Sequence, residues 1–425
     1  MTANVSHTPA TPPSSDASDS YRMTAAERRA SFSLSGLYAL RMLGLFIVLP
    51  VFALQAAHYP GGNDPAMVGL AMGAYGLTQA CLHLAFGAAS DRWGRKRVIV
   101  GGLLIFIAGS LVAAMAQSIT GLIVGRMLQG AGAVSAVISA LLADQTRPEV
   151  RTKALAMVGA SIGLMFALSL VLAPPLAAVA GLPGLFVLTA ALAVLGIWLL
   201  LRRVPPEPPL HTTQANAGMR ALLTHGPTLR LNAGVFIMHA MLLALWVAVP
   251  GMLVQAGLAP AAHWQVYLPA MVASFGVMAV TLFPLERRGY TRAVFLCAIG
   301  VVALVLLGLA WAASAGVGAI TLGLLLFAFF CCSNILEACQ PSIASRAAPP
   351  NARGAAMGFY NTLQSLGFFA GGAVGGLLMR QLGAVGLFVT LAGFTLLWLL
   401  LAWPMAPLGA RGEVQDAATA PAPRA

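Results

Sequence analysis

The chain has 425 residues, enough for two or three soluble domains, yet 59% of them are hydrophobic and only 8% are charged. Soluble chains run about 45–50% apolar and about 25% charged, so these residues could not cover a soluble surface, and an integral membrane protein is implied. The net charge of +12 comes from a shortage of acids, 12 against 24 bases, and without a clustered basic face it does not point to nucleic acid.

Residues 1–30 are rich in Ser, Thr, Ala and Pro and lack the apolar core of a secretory signal. They are expected to form a disordered cytoplasmic tail. Crossing a bilayer takes about 20 apolar residues. Such runs fall near 31–56, 66–90, 97–117, 119–143, 153–180 and 183–201, spans 1 to 6. A Pro-rich polar stretch then opens a cytoplasmic linker over 202–227. Spans 7 to 12 follow near 228–256, 265–285, 292–313, 317–345, 353–379 and 384–404, before a second tail at 405–425. No run alternates with period two, so the spans are predicted to be helices rather than barrel strands. The expected fold is all-α, with six-helix halves at 31–201 and 228–404.

Of the 24 bases, Arg41 and Arg126 lie inside spans and Arg380 near an outer loop. The other 21 fall in the tails and in the loops after even-numbered spans, which places both termini in the cytoplasm. The halves repeat in parallel: TRPEVRTKALAM, ending at Met157, is echoed by SRAAPPNARGAAM, ending at Met357. Asp91-Arg92 after span 2 is matched by Glu286-Arg287 after span 8. Parallel six-helix repeats are a transporter pattern, with a substrate site between them near the midplane.

Two motifs carry chemistry. The loop after span 2 reads GAASDRWGRKRV from Gly87 to Val98, where Asp91 is the one acid among Arg92, Arg95, Lys96 and Arg97 and Gly94 permits a tight turn. Span 4 reads RMLQGAG from Arg126 to Gly132, with Arg126 and Gln129 on one face. The first resembles the major facilitator superfamily signature G-x-L-x-D-R-x-G-R-K/R, with Ala89 in the Leu position. The second is similar to the R-x-x-Q-G-x-G motif of proton-driven exporters. The wording of TQACLHLAFGAASDRWGRKRVIVGG and of ADQTRPEVRTKALAMVGASIG resembles the YajR-type drug:proton antiporters, and the resemblance covers about 31–404. A third, exporter-type signature in span 5 is only partly matched, with Ala173, Ala177 and Ala178 where glycines are usual.

The resemblance implies a major facilitator superfamily fold of twelve helices in two pseudo-repeated halves, working by alternating access in a bacterial inner membrane. It implies a monomer with a small-molecule substrate and the lipid bilayer as partners, and the proton gradient in place of any cofactor. It also makes Gly87, Asp91, Arg92, Gly94, Arg95 and Lys96 part of a cytoplasmic latch against the other half, with Asp144 as a second acid.

The intramembrane polar residues are few. Glu337 is the one carboxylate well inside an apolar run, roughly 12 Å from the cytoplasmic end of span 10 at 1.5 Å per residue. It is the expected carrier of a coupling proton, with His239 and His83 as further candidates. Arg41 lies at similar depth and is its expected counter-ion. Tyr75, Gln79 and His83 form a stripe on span 2, and Asn232, His239 and Trp246 one on span 7. Asn334 joins Glu337 on span 10, and Tyr360, Asn361 and Gln364 share a face of span 11. With Arg41, Arg126 and Gln129 these are the expected cavity residues. The five cysteines read as small hydrophobes, and no metal, nucleophile or phosphate-binding constellation appears, so no enzyme is expected. The leading expectation is proton-coupled efflux of small hydrophobic or amphipathic compounds. The alternatives are an uptake symporter or facilitator for a small organic solute, anionic ones included, and a non-transporting receptor or scaffold.

Overall fold

The structure, a computed structural model, describes residues 22–132, 134–207, 225–347 and 353–405. Every regular element among them is helical. The segments 1–21, 208–224 and 406–425 lie outside the described residues, so the expected tails and most of the linker go with them.

Span 1 is a helix from Ala25 to Phe46, continued by Leu49–Ala56 after a break at Ile47–Val48, just ahead of Pro50. It starts earlier than the apolar run. The Thr24 hydroxyl accepts from the Glu27 amide at 3.2 Å, and the Glu27 carboxylate accepts from the Thr24 amide at 2.8 Å. This reciprocal cap makes 25–30 helix, where a disordered tail was expected. Span 2 is Pro65–Trp93, capped by Asp64, and span 3 is Arg95–Ala114. Span 4 is broken near Gly132 into Ile119–Ala131 and Ser135–Asp144.

Spans 5 and 6 share the helical stretch Pro148–Arg203, which turns at Gly181 with φ 61° and ψ −169°. Only glycine takes that backbone without strain. The chain folds back there, since span 1 meets both arms: Ser161 donates to the Ser35 carbonyl, and Leu199 lies over Gly36. Spans 7 to 10 are Gly226–Gln255, Trp264–Arg287, Thr291–Ala315 and Ala319–Ala347. Spans 11 and 12 repeat the arrangement within Arg353–Ala402, turning at Gly383 with φ 66° and ψ −173°.

Nine stretches among the described residues are long and apolar enough to cross a membrane. Two of them hold the hairpins at Gly181 and Gly383, and span 2, diluted by Tyr75, Gln79, His83 and glycines, is outside the nine. The arrangement agrees with twelve crossings. One buried apolar cluster runs from Phe52 and Met72 of the first half into Met241 and Phe330 of the second. Another, with Leu34, Leu103, Ile138 and Leu200, belongs to the first half alone.

The halves are joined most tightly along spans 2 and 11. Gly69, Gly73 and Gly76 lie against Ser365, Phe369, Gly372 and Gly376, and a Cβ on Gly372 would come within 2.7 Å of the Gly73 Cα. Small residues let two backbones approach this closely. Beyond them, at the face away from the basic loops, the Arg380 Nη1 is 3.0 Å from the Asp64 carboxylate.

Candidate functional site

Glu337 and His239 come together where spans 10 and 7 face the space between the halves. Glu337 Oε2 is 3.4 Å from His239 Nε2. The carboxylate side chain is 47% exposed, whereas the imidazole is 1% exposed. The ring is fixed on all sides: Nδ1 lies 2.8 Å from the Val235 carbonyl, Nε2 lies 2.7 Å from Gln364 Nε2, and Phe368 packs edge-on at 5.0 Å. Tyr360 is buried within electrostatic reach of Glu337. An open acid beside a sealed base can take a proton from water and share it with a group that water does not reach.

About two helical turns further from the basic loops, an aromatic cluster closes this space. Phe46 of span 1 meets Phe166 of span 5 at 5.1 Å; Phe166 meets Trp246 of span 7 at 6.1 Å and Phe330 of span 10 at 6.5 Å. Tyr267 of span 8 backs Trp246 at 5.3 Å. Of these rings the sequence had marked only Trp246. The phenylalanines lie in uninterrupted apolar runs, where nothing separates a ring facing the seam from one facing lipid.

The first half holds a buried polar chain. Arg41 donates to Ser135 Oγ at 2.7 Å and to the Tyr75 hydroxyl at 2.5 Å. Arg126 lies over the Tyr75 ring at 5.1 Å and donates to Gln129 Oε1 at 3.0 Å; Gln129 in turn donates to Ser110. Both arginines are almost wholly buried. The expected Arg41–Glu337 pairing is therefore corrected. Arg41 is spent on spans 2 and 4, and Glu337 pairs with His239. Gln79 is buried on the same span 2 face, and His83, further along, reaches across the seam to Ser365 Oγ at 3.3 Å. Asn334 donates to Ser274 of span 8, Asn232 closes on its own helix at Thr228, and the Asn361 carbonyl accepts from Ser365.

The loop after span 2 forms a compact ionic knot. Gly94, with φ 94°, turns the chain into span 3. Arg95 pairs with Asp91 at 2.6 Å and with Asp144 at 3.1 Å, and donates to Ser90, whose hydroxyl donates to the Gly87 carbonyl. Arg92 is exposed. Lys96 is held by the start of the linker: its amide donates to Glu207 and its ammonium to the Val204 carbonyl. Among the described residues the contacts of this network run within the first half and to the start of the linker. Residues 348–352 lie outside the described ones, and the expected latch against the other half is not placed. Sequence reasoning missed Glu207, which sits in a Pro-rich polar stretch that reads only as linker.

A family model described as Major Facilitator Superfamily matches residues 34–372 and 284–424. The chain is 40% identical to the inner membrane transport protein YajR of Escherichia coli K12, over 91% of this chain and 85% of that protein. It is 30% identical to the multidrug resistance protein MdtH of Aeromonas hydrophila, over 79% and 84% of the two chains. Among solved structures, a D-xylose–proton symporter matches with a TM-score of 0.75 at 13% identity, over 91% of this chain and 99% of that one. That last likeness is one of fold alone.

Proposed function

Since the chain belongs to the major facilitator superfamily of secondary transporters, we propose that it is a proton-coupled exporter of small hydrophobic or amphipathic compounds. Proton entry would drive substrate outward by alternating access. We place it in a bacterial inner membrane with both termini cytoplasmic, in line with the YajR name and with where the bases fall. The observation that carries the reading is Glu337, a half-open carboxylate in an apolar span, 3.4 Å from the sealed His239. An intramembrane charge is costly and marks a proton or substrate path. Protonation removes the charge and so biases a two-state equilibrium between inward- and outward-open forms. The aromatic cluster above offers apolar surface for the body of a substrate. The MdtH likeness supports export of drug-like compounds.

The test is Glu337→Gln in proteoliposomes. Transport driven by a pH gradient is lost, while substrate exchange without a gradient continues. Full gradient-driven transport in a correctly inserted variant would overturn the assignment.

A further inference from the structure

The amide of Gln364 meets the one ring nitrogen of His239 that can change its protonation. Val235 presents a carbonyl to Nδ1 at 2.8 Å, and a carbonyl only accepts, so Nδ1 carries a hydrogen in both states of the ring. Nε2 alone gains and loses the proton. Without one, Nε2 accepts from the Gln364 NH2 group at 2.7 Å. With one, the ring N–H and the amide N–H oppose each other at that distance. The amide must then turn over and accept through Oε1, or withdraw and leave the N–H to Glu337 Oε2 at 3.4 Å. A glutamine amide donates on one edge and accepts on the other, so its orientation is tied to whether the imidazole holds the proton.

Gln364 also stands where such a turn is felt. The next residue, Ser365, joins His83 of span 2 across the seam at 3.3 Å. Phe368, one turn on, packs on the His239 ring. Gly372 and Gly376 continue the same helix into the close approach with span 2. The other ionisable groups around the pair are Tyr360 of span 11, within electrostatic reach of Glu337, then His83 across the seam and Arg41 of span 1 behind it. Arg230 lies near the start of span 7 itself, on the side of the basic loops. Among the described residues, Gln364 and Glu337 are the side chains placed on Nε2.

We propose that Gln364 is a positioning residue that reads the protonation of the His239–Glu337 pair and passes it to span 11, and so to the seam between the halves. This rests on the pair being the coupling site. The full-length protein in liposomes, with exposed Cys81 and Cys297 replaced by Ser, would carry spin labels at exposed Ala57 and Ala315, one in each half on the outer face. In wild type the distribution of label distances is expected to shift between neutral and acidic pH. In Gln364→Met, which keeps length and packing, both distances should remain populated but the shift should be lost. A wild-type shift in Gln364→Met would overturn the proposal. If that variant does not fold, infrared pH-difference spectra with carbon-13-labelled glutamine side chains, compared between wild type and Gln364→Asn, decide: an amide carbonyl band that moves with pH in wild type and is missing from Gln364→Asn supports it, and the same spectrum in both overturns it. Glu337→Gln separates the two ideas. A shift that survives there sinks the coupling site itself, whereas one that needs Glu337 but not Gln364 sinks only the reader.

Discussion

Arg41 and Arg126 are cations buried among apolar helices, and their partners among the described residues are uncharged. A charge at the centre of a membrane helix costs about 2.5–3.5 kcal/mol or more. Hydrogen bonds to a charged group return about 1.5–3 kcal/mol each, and a desolvated cation over an aromatic face about 2 kcal/mol. Tyr75 serves both arginines, its hydroxyl bonded to one and its ring lying under the other. Lysine cannot reproduce this at position 126, because a compact ammonium cannot lie flat on the ring while donating sideways to Gln129. Arg126→Lys should therefore cost about 1–3 kcal/mol, seen as a lower thermal midpoint in detergent. An unchanged midpoint would show that the stacking contributes nothing. These positions also mark how far the sequence could be read. Counting carboxylates found Glu337, and helical stripes found His239 and Gln364 beside it. Depth along a span is legible from residue number, but the direction a side chain faces is not. That is why Arg41, at the depth of Glu337, looked like its partner and proved to be turned inward on its own half.

Helix starts and close approaches are set by short-range chemistry, some of it readable in advance. Thr24-Ala25-Ala26-Glu27 is a capping sequence that hydropathy overlooked. Glu27, ahead of the apolar run of span 1, also takes the Arg147 side chain at 2.8 Å, which holds its carboxyl down to about 2. A depressed carboxylate lends stability that is present above its ordinary value of 4.5 and is lost as pH falls from there through about 2. Glu27→Gln should thus lower the thermal midpoint at neutral pH, and the gap from wild type should narrow once pH drops below 4.5. A gap that stays constant with pH would mean the clamp is not ionic. The glycines of spans 2 and 11 were in plain view, but their pairing across some 300 residues was not, since nothing local says which helices meet. A Cβ on Gly372 would press on the backbone of Gly69 and Gly73. Gly372→Ala should therefore loosen the outer seam and raise labelling of a cysteine placed at Tyr59, measured with an impermeant thiol reagent. Unaltered labelling would mean that the helices can shift to admit the methyl.

Among the described residues, the closest contacts between the halves gather towards the face away from the basic loops. On the proposed outer side the halves are joined by the glycine seam, the aromatic cluster and the Asp64–Arg380 pair. Towards the basic loops, Glu337 is open, and Arg95 turns both of its acids inward on its own half. In the proposed rocking cycle, the outer contacts must break before an inner latch can form. The outer ion pair is the component that can be removed without touching the packing. Asp64 also caps span 2 through the Ala66 amide at 2.9 Å, a duty that Asn performs about as well. Asp64→Asn therefore deletes the charge and keeps the helix start. Both side chains are partly exposed, Arg380 at 59% and Asp64 at 32%, so the pair is screened by water and salt. Such pairs contribute about 0.2–1 kcal/mol, a change of roughly 1.4- to 5-fold in the ratio of outward- to inward-open molecules. Distances between labels at Ala57 and Ala315 should register that shift in Asp64→Asn, and equally in Arg380→Gln. The double variant should match either single one, because the second change finds no partner left to remove. Shifts that add in the double variant would show two independent residues rather than a latch. The whole effect should fade in high salt, and a shift that persists there would rule out charge as its cause.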